Sequence, residues 1–283
     1  MSKVNSASGA LVIIGGAEDH TNERKILAEF VRLSGGGDAS IVIITVASEA
    51  QSEVGSRYTE VFTQLGVREV RALNINKRGD ANARAAVEMI EKATGIFFTG
   101  GNQLRITMLL GGTKVDTALH RRNEQGLVLA GTSAGAAMMS TVMITGGKSD
   151  TAFRIGIVEL SPGMGFIGGV LIDQHFEERG RLRRLLLAVA QYPQEIGLGL
   201  DENTAVVVRD QELEVLGQGS LTVIDAGGMS YTNLASLKKD DILTLCGVKI
   251  HILSEGYRFD LRNREPLIEA DSEVKKAKEA KRG

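Results

Sequence analysis

The sequence predicts an α/β fold, in which a mainly parallel sheet is flanked by helices and antiparallel strands are added near the C-terminus. Short β-branched runs alternate with amphipathic segments through the first half of the chain, which is typical of βαβ units. After about Gly197 the predicted strands become shorter and are joined by tight turns. Only three of the 283 residues are proline, and no linker, repeat or low-complexity tract divides the chain. We therefore expect a single domain over residues 1–283.

The predicted elements follow one another in a regular order. The helix after the first strand has an apolar stripe formed by Ile26, Leu27, Phe30 and Val31, and we expect a Thr or Asn in front of it to cap it. The parallel strands are expected in ALVIIGG, SIVIITVAS, VRALNI, GIFFTGGNQ, GLVLAGTSAGAAMM and GVLIDQH, with helices between them. The antiparallel strands are expected in GLGLDENTAVVVRD, LEVLGQGSLTVIDAG and DILTLCGVKIHIL. Functional sites of such sheets form beyond the carboxyl ends of the strands.

Composition and charge exclude several classes of protein. Apolar residues make up 43% and charged residues 24% of the chain, as in ordinary globular proteins. The net charge of −2 gives no sign of a nucleic-acid or anionic-membrane partner. The single cysteine, Cys246, is expected to be a small buried residue of a late strand. No signal peptide is recognised, so the cytoplasm is the expected location. The basic end, about 270–283, is expected to be a solvated, fraying helix end.

One uncharged stretch, LVLAGTSAGAAMMSTVMI at 127–144, allows two interpretations. Gly131 and Gly135 form the G-x-x-x-G of a membrane helix pair, and they also flank Ser133 in the G-x-S-x-G of a nucleophile elbow. The first four residues fit the series of buried strands, and the sequence has no second segment of spanning length. We therefore expect no membrane anchor. In an elbow, the N–H of Ala134 would face an oxyanion, and the glycine turn with Gly101 would supply a second donor.

A catalytic serine requires a base, and the chain has four histidines. His175 follows a strand directly and is therefore the best placed. His20 follows the first strand and is another candidate, His120 is expected to be exposed, and His251 is expected to be structural. The third member is expected to be a carboxylate, and Asp201 or Glu202 after the next strand could orient His175. No metal-ligand spacing occurs, so a reaction without metal or cofactor is expected.

Two further patterns in the sequence bear on function. The G-x-G-x-x-G at 163–168 precedes a strand instead of following one, so we reject it as a dinucleotide-binding loop. A predicted helix opens with Arg179, Arg181, Arg183 and Arg184. Arg181 and Arg184 share a helix face, and Glu177 is spaced to pair with Arg181. These arginines either form a solvated basic face or bind substrate carboxylates.

Four motifs, FFTGGNQLR, AGTSAGAAMMS, DQHFEERGRLRRL and GLDENTA, occur in order. Together they resemble the cyanophycinase family of serine peptidases, which is related to the aspartyl dipeptidases and has a fold similar to class I glutamine amidotransferases. The resemblance runs from VIIGGAED to about GLDENTA and so covers most of the chain. It implies a homodimeric exopeptidase for cyanophycin, a poly-aspartate that carries arginine on its side-chain carboxyls. The expected products are β-aspartyl-arginine dipeptides.

The resemblance also implies roles for individual residues. It makes Ser133 the nucleophile, His175 the base and Glu202 the orienting acid, and leaves Asp201 as a lesser candidate. It further implies a set of substrate-binding residues, namely Asn102, Gln103, Asp173, Gln174, Arg179, Arg181 and Arg184. Two rival hypotheses are another serine hydrolase of the same fold, such as an aspartyl dipeptidase, and a non-catalytic protein that binds arginine- or aspartate-rich peptides. Labelling by a fluorophosphonate separates an activated serine from the second rival.

Overall fold

The computed structural model describes residues 9–147, 158–238 and 241–268. The helices in these ranges are α1 (Lys25–Leu33), α2 (Gln51–Gln64), α3 (Arg84–Lys92), α4 (Gln103–Leu110), α5 (Lys114–Glu124), α6 (Ala134–Ala137) and α7 (Leu182–Gln191). The first nine strands are β1 (Leu11–Ile14), β2 (Ser40–Ile44), β3 (Glu69–Leu73), β4 (Gly95–Phe98), β5 (Val128–Thr132), β6 (Val142–Gly147), β7 (Val158–Pro162), β8 (Val170–Gln174) and β9 (Ile196–Leu200). The remaining strands are β10 (Thr204–Arg209), β11 (Glu212–Gly217), β12 (Leu221–Asp225), β13 (Tyr231–Thr232), β14 (Leu245–Cys246), β15 (Lys249–Leu253), β16 (Arg258–Asp260) and β17 (Glu265–Leu267). The predicted basic end lies outside the described residues.

The largest sheet of the described chain has the strand order β17-β16-β11-β10-β1-β5-β4-β2-β3. Strands β1 to β5 pair in parallel, and β10, β11, β16 and β17 continue the sheet in antiparallel fashion. Alternate residues of β1 belong to two different apolar clusters: Leu11 and Ile13 pack on one face, Val12 and Ile14 on the other. Both faces are therefore covered, as a parallel sheet requires. The predicted α/β class is confirmed.

A second sheet, with the order β15-β12-β9-β8, was not expected from the sequence. Strand β9 pairs in parallel with β8, and β12 pairs antiparallel with both β9 and β15. The expectation that the strands after Gly197 are antiparallel additions to the fold is correct for β10, β11, β12 and β15, whereas β9 pairs antiparallel with β12 but parallel with β8. This second sheet carries the strand ends that precede His175 and Glu202.

Two local expectations are also wrong. Helix α1 begins after Arg24, which has a left-handed backbone, and the carboxylate of Asp19 accepts the N–H groups of Thr21, Asn22 and Arg24 in place of a Thr or Asn cap. Cys246 is exposed because the segment around it is broken at Gly247, which has φ +78°. Cys246 lies in the two-stranded β13–β14 ribbon, in which the neighbouring Leu245, and not Cys246, packs against an apolar cluster.

The stretch 127–144 forms β5, the turn at Ser133, α6 and the start of β6. Helix α6 has only four residues. Across the described ranges, no helix combines the length and the apolar character that crossing a bilayer requires.

Candidate active site

The site lies where several strands end at one edge of the fold. Ser133 follows β5, His175 follows β8, and Glu202 comes two residues after β9. The glycine turn with Gly100 and Gly101 follows β4, and a Cβ placed on Gly100 would lie 3.5 Å from the Cβ of Ser133. The carboxyl ends of strands from two sheets thus meet around one serine, as expected for open α/β folds.

Ser133 has the strained backbone of a nucleophile elbow, with φ 51° and ψ −109°. Its flanking glycines are sterically required. A Cβ on Gly131 would lie 2.1 Å from the carbonyl oxygen of Gly135, and a Cβ on Gly135 would lie 2.4 Å from the carbonyl oxygen of Phe98. The two glycines of the G-x-S-x-G motif therefore allow β5 and α6 to approach each other and the end of β4 more closely than any residue with a Cβ would permit.

The imidazole of His175 lies against the serine. Ser133 Oγ is 3.0 Å from His175 Nε2, and His175 Nδ1 is 2.6 Å from Glu202 Oε1. An ionised carboxylate only accepts hydrogen bonds, so Nδ1 carries the proton and Nε2 is left to accept from the serine hydroxyl. A Cβ on Gly16 would lie 2.3 Å from His175 Cε1, so only glycine at this position leaves room for the ring.

The neighbouring carboxylate, Asp201, has other partners. Its Oδ2 accepts from both the N–H and the hydroxyl of Ser220 at 2.8 Å, and its Oδ1 accepts from the N–H of Glu177 at 3.1 Å. Of the two acids between which the sequence left a choice, the structure brings Glu202 to His175. The catalytic roles of the three residues stay a prediction.

The end of β1 holds all three site segments through the main chain. The carbonyl oxygens of Ile14 and Gly15 accept the N–H groups of Ser133 and His175 at 3.0 and 2.9 Å. The carbonyl oxygen of Gly16 accepts the N–H of Asn203, the residue after Glu202, at 2.8 Å. Consecutive carbonyls of one strand end thus set the relative positions of nucleophile, base and acid.

The predicted oxyanion hole has suitable surroundings. Ala134 opens helix α6 directly after Ser133, and Gly100, in the turn after β4, packs against the serine side chain. Gly101 has φ 140° and lies against the main chain of Ala47. The N–H groups of Ala134 and Gly101 as oxyanion donors stay a prediction.

The predicted arginine helix begins later than expected, at Leu182, and two of its arginines are buried. Arg184 binds both carboxylate oxygens of Asp173, with Nε 2.9 Å from Oδ2 and Nη2 in contact with Oδ1. Arg181 donates to Asp173 Oδ1 at 3.3 Å and to the carbonyl oxygen of Gln174. Asp173 is fully buried, so these arginines are neither a solvated face nor partners of Glu177. Burial lowers the pKa of Arg181 to about 10, and Asp173 opposes this effect.

The other predicted substrate-binding residues lie around the same edge. Arg179 is exposed in the turn that follows His175. Gln174 is buried, and its Oε1 has no hydrogen-bond partner within the described part of the chain. Asn102 caps helix α4 by accepting from the N–H of Leu104, and Gln103 donates to the carbonyl oxygen of Ile144 at 2.9 Å. Their contact with substrate stays a prediction.

The remaining histidines lie outside the triad geometry. His120, expected to be exposed, is half-buried: it stacks on Phe166 and lies 2.9 Å from the carbonyl oxygen of Met164. His251 lies in β15, where its ring packs near Phe259. His20 Nε2 lies 3.4 Å from Glu18. Among the side chains that the structure describes, no group of three or more His, Cys, Asp or Glu is arranged to hold a metal ion.

A buried carboxylate that was not expected from the sequence, Glu18, lies beside the elbow. Glu18 accepts hydrogen bonds from the hydroxyls of Thr132 and Tyr58, each at 2.5 Å. The signal for it is its position in GGAEDH, directly past the end of a buried strand, where sites form.

Comparisons with known proteins identify the family of the chain. The model of peptidase family S51 matches residues 11–216. A cyanophycinase from Geminocystis herdmanii is 39% identical over 260 residues, covering 91% of this chain and 96% of that protein. A cyanophycinase from a Nostoc species is 40% identical over 260 residues, covering 91% and 87% of the two chains. The crystal structure of a peptidase from an acI-B1 actinobacterium has a TM-score of 0.66 at 23% identity, covers 90% of this chain and 98% of its own, and supports the fold.

Proposed function

The chain belongs to peptidase family S51 and is a serine-type peptidase, and we propose that it hydrolyses cyanophycin to β-aspartyl-arginine dipeptides. The observation that carries the proposal is the hydrogen-bonded series Ser133, His175 and Glu202, in a chain whose curated relatives are cyanophycinases. We propose these residues as nucleophile, base and orienting acid.

The reaction is an acyl transfer with a covalent intermediate. His175 Nε2 takes the proton of Ser133 while the serine oxygen attacks a backbone carbonyl of the poly-aspartate. The N–H groups of Ala134 and Gly101 stabilise the oxyanion, and Glu202 stabilises the imidazolium. His175 then gives its proton to the leaving amine. Water, activated by the same imidazole, releases the acyl group and regenerates the serine.

The site residues have chemistry suited to a β-aspartyl-arginine unit. The exposed guanidinium of Arg179 supplies a cation for the free α-carboxylate of the substrate arginine. The unpartnered Gln174 Oε1 supplies an acceptor for its guanidinium. Arg181 and Arg184 share the single carboxylate of Asp173, so this buried cluster keeps a net positive charge beside Gln174. Asn102 and Gln103 bind the substrate on the side of the glycine turn.

The proposal also includes assembly and location. We expect a homodimer in the cytoplasm, with no nucleic-acid or membrane partner. Light scattering of the purified protein measures the mass in solution, and a mass equal to a single chain would contradict the dimer.

The test is incubation of the purified protein with insoluble cyanophycin, followed by mass spectrometry of the soluble fraction. Native protein is expected to release β-aspartyl-arginine, and Ser133→Ala is expected to release none. Ser56→Ala is the matched control, because Ser56 lies on the exposed surface of α2 and only bonds its own helix. Release by Ser133→Ala at the native rate would exclude Ser133 as the nucleophile. No release by the native protein, with Ser133 still labelled by a fluorophosphonate, would instead favour short aspartyl peptides as substrates.

A further inference from the structure

Glu18 is a buried carboxylate with no part in the proposed acyl transfer. It lies in the turn after β1, and only 2% of its side chain is exposed. Its Oε2 accepts the hydroxyl of Thr132 and its Oε1 accepts the hydroxyl of Tyr58, both at 2.5 Å. His20 Nε2 lies 3.4 Å from Oε1. A buried charge is costly unless it is well hydrogen-bonded, so this position has a structural or functional reason.

The network keeps Glu18 ionised. Burial raises the pKa of its carboxyl, but the hydrogen bonds from His20, Thr132 and Tyr58 outweigh this effect and leave the pKa below its usual value. Burial and the Glu18 charge raise the pKa of Tyr58 well above the ordinary value of 10.0. Tyr58 therefore stays protonated and donates its hydrogen bond to Glu18.

Thr132, the other donor, directly precedes Ser133. A serine with φ 51° is held only if the chain on both sides of it is held, because this backbone conformation is unfavourable by about 1–3 kcal/mol. On the C-terminal side, the N–H groups of Ala136 and Ala137 bind the carbonyl oxygen of Ser133. On the N-terminal side, the hydroxyl of Thr132 is fixed by Glu18.

We propose that Glu18 is a positioning residue for catalysis: by binding the hydroxyl of Thr132 it holds the elbow so that Ser133 Oγ stays within reach of His175. The inference rests on the proposed function only in taking Ser133 as the nucleophile, and it does not depend on which peptide is the substrate. A purely structural Glu18 would affect unfolding but would leave the reactivity of the serine unchanged.

The experiment measures the rate at which a fluorophosphonate labels Ser133, together with kcat and KM, well below the melting temperature. In Glu18→Gln and in Thr132→Val, labelling and kcat are expected to fall by between about tenfold and a hundredfold with KM unchanged, since small displacements of a nucleophile have effects of this size. Thr132→Ser keeps the hydroxyl and is expected to react at close to the native rate. The double variant Glu18→Gln with Thr132→Val is expected to be no slower than Thr132→Val alone, because Thr132→Val already removes the contact that Glu18→Gln weakens.

Tyr58→Phe is the matched control, since it removes the other hydroxyl from the same carboxylate without touching the elbow. It is expected to lower the melting temperature and to keep the native labelling rate. Native labelling rates in Glu18→Gln and Thr132→Val, or equal slowing in Tyr58→Phe, would overturn the inference and leave the proposed function intact. If Glu18→Gln does not fold, the labelling rates of Thr132→Val and Thr132→Ser test the inference: slowing in the first alone supports it, and native rates in both overturn it. A native protein that is not labelled at all would overturn the proposed function, and the inference with it.

Discussion

His175 Nδ1 and Glu202 Oε1 lie 2.6 Å apart, although Asp201 is the carboxylate that directly follows strand β9. Asp201 accepts hydrogen bonds from Ser220, which ties the end of β9 to the start of β12, and from the N–H of Glu177, which ties it to the turn after His175. Two adjacent acids therefore have separate tasks. Glu202 contacts the imidazole, and Asp201 holds the chain segment from which Glu202 projects.

Substitution of each acid separates these tasks. Glu202→Gln is expected to lower kcat by about a thousandfold to ten-thousandfold, because it no longer holds the imidazole in the required tautomer. Asp201→Asn is expected to keep kcat within a few-fold of native but to lower the free energy of unfolding by about 1–3 kcal/mol, because its amide presents a donor to the Ser220 N–H. Steady-state kinetics and urea unfolding measure the two effects. The reverse pattern would make Asp201 the orienting acid.

Gly131→Ala tests the close approach at the elbow. The new Cβ would lie 2.1 Å from the carbonyl oxygen of Gly135, so the free energy of unfolding is expected to fall by more than about 3 kcal/mol, beyond ordinary overpacking. Gly165→Ala is the control, since its φ is +74° but nothing lies within 4 Å of the added atom. It is expected to cost only about 1–2 kcal/mol of left-handed strain. Equal losses in urea unfolding would contradict the steric argument.

Asp173→Asn tests the buried cluster with Arg181 and Arg184. It leaves two guanidinium groups buried without their counter-charge and is expected to lower the free energy of unfolding by about 3–5 kcal/mol. Glu53→Gln is the matched control, because its ion pair with Arg57 is exposed and is expected to contribute less than about 1 kcal/mol. A loss in Asp173→Asn no larger than in the control would show that the cluster is solvated in solution.

His120 should make stability depend on pH. The carboxylate of Asp116, with Oδ1 3.4 Å from Nε2, is the largest influence and raises the pKa of His120 above the ordinary value of 6.5, against the effect of burial. The folded state therefore favours the protonated ring, so this stabilisation is full below about pH 6.5 and is lost as the pH rises through the folded-state pKa. His120→Gln keeps a donor for the Met164 carbonyl but does not titrate. Between about pH 6 and pH 8.5 the native melting temperature is expected to fall more than that of the variant. Parallel melting curves would refute this assignment.

The parallel part of the fold was predictable because its strands are continuous apolar runs. Segments such as Leu11–Ile14 and Gly95–Phe98 are buried on both faces, and this burial leaves a direct mark on composition. The division of the strands between two sheets has no comparable signal in the composition of the strands. Every residue of β8 and β9 is buried, as in the strands of the larger sheet, so burial does not reveal which sheet they join. Their pairing depends on contacts between distant parts of the chain.

The sequence predicted those parts of the site whose geometry is set by a short local motif. It did not predict the contacts between residues that are distant along the chain. The strained backbone of Ser133 is encoded by its two glycines, both within two residues of it. The contact of Glu18 with Thr132 spans 114 residues, and neither residue alone marks the other. The partners of Arg181 and Arg184 were missed for a related reason. An aspartate in an apolar strand gives no sign that two arginines of the next helix will enclose it.

The three carbonyls at the end of β1 also determine when the site can come into being during synthesis. Ile14, Gly15 and Gly16 are made before their partners Ser133, His175 and Asn203, which emerge from the ribosome one after another. A nascent chain that ends before residue 202 lacks the carboxylate that contacts the imidazole of His175. The three proposed catalytic groups can therefore meet only after the chain has been translated past Glu202.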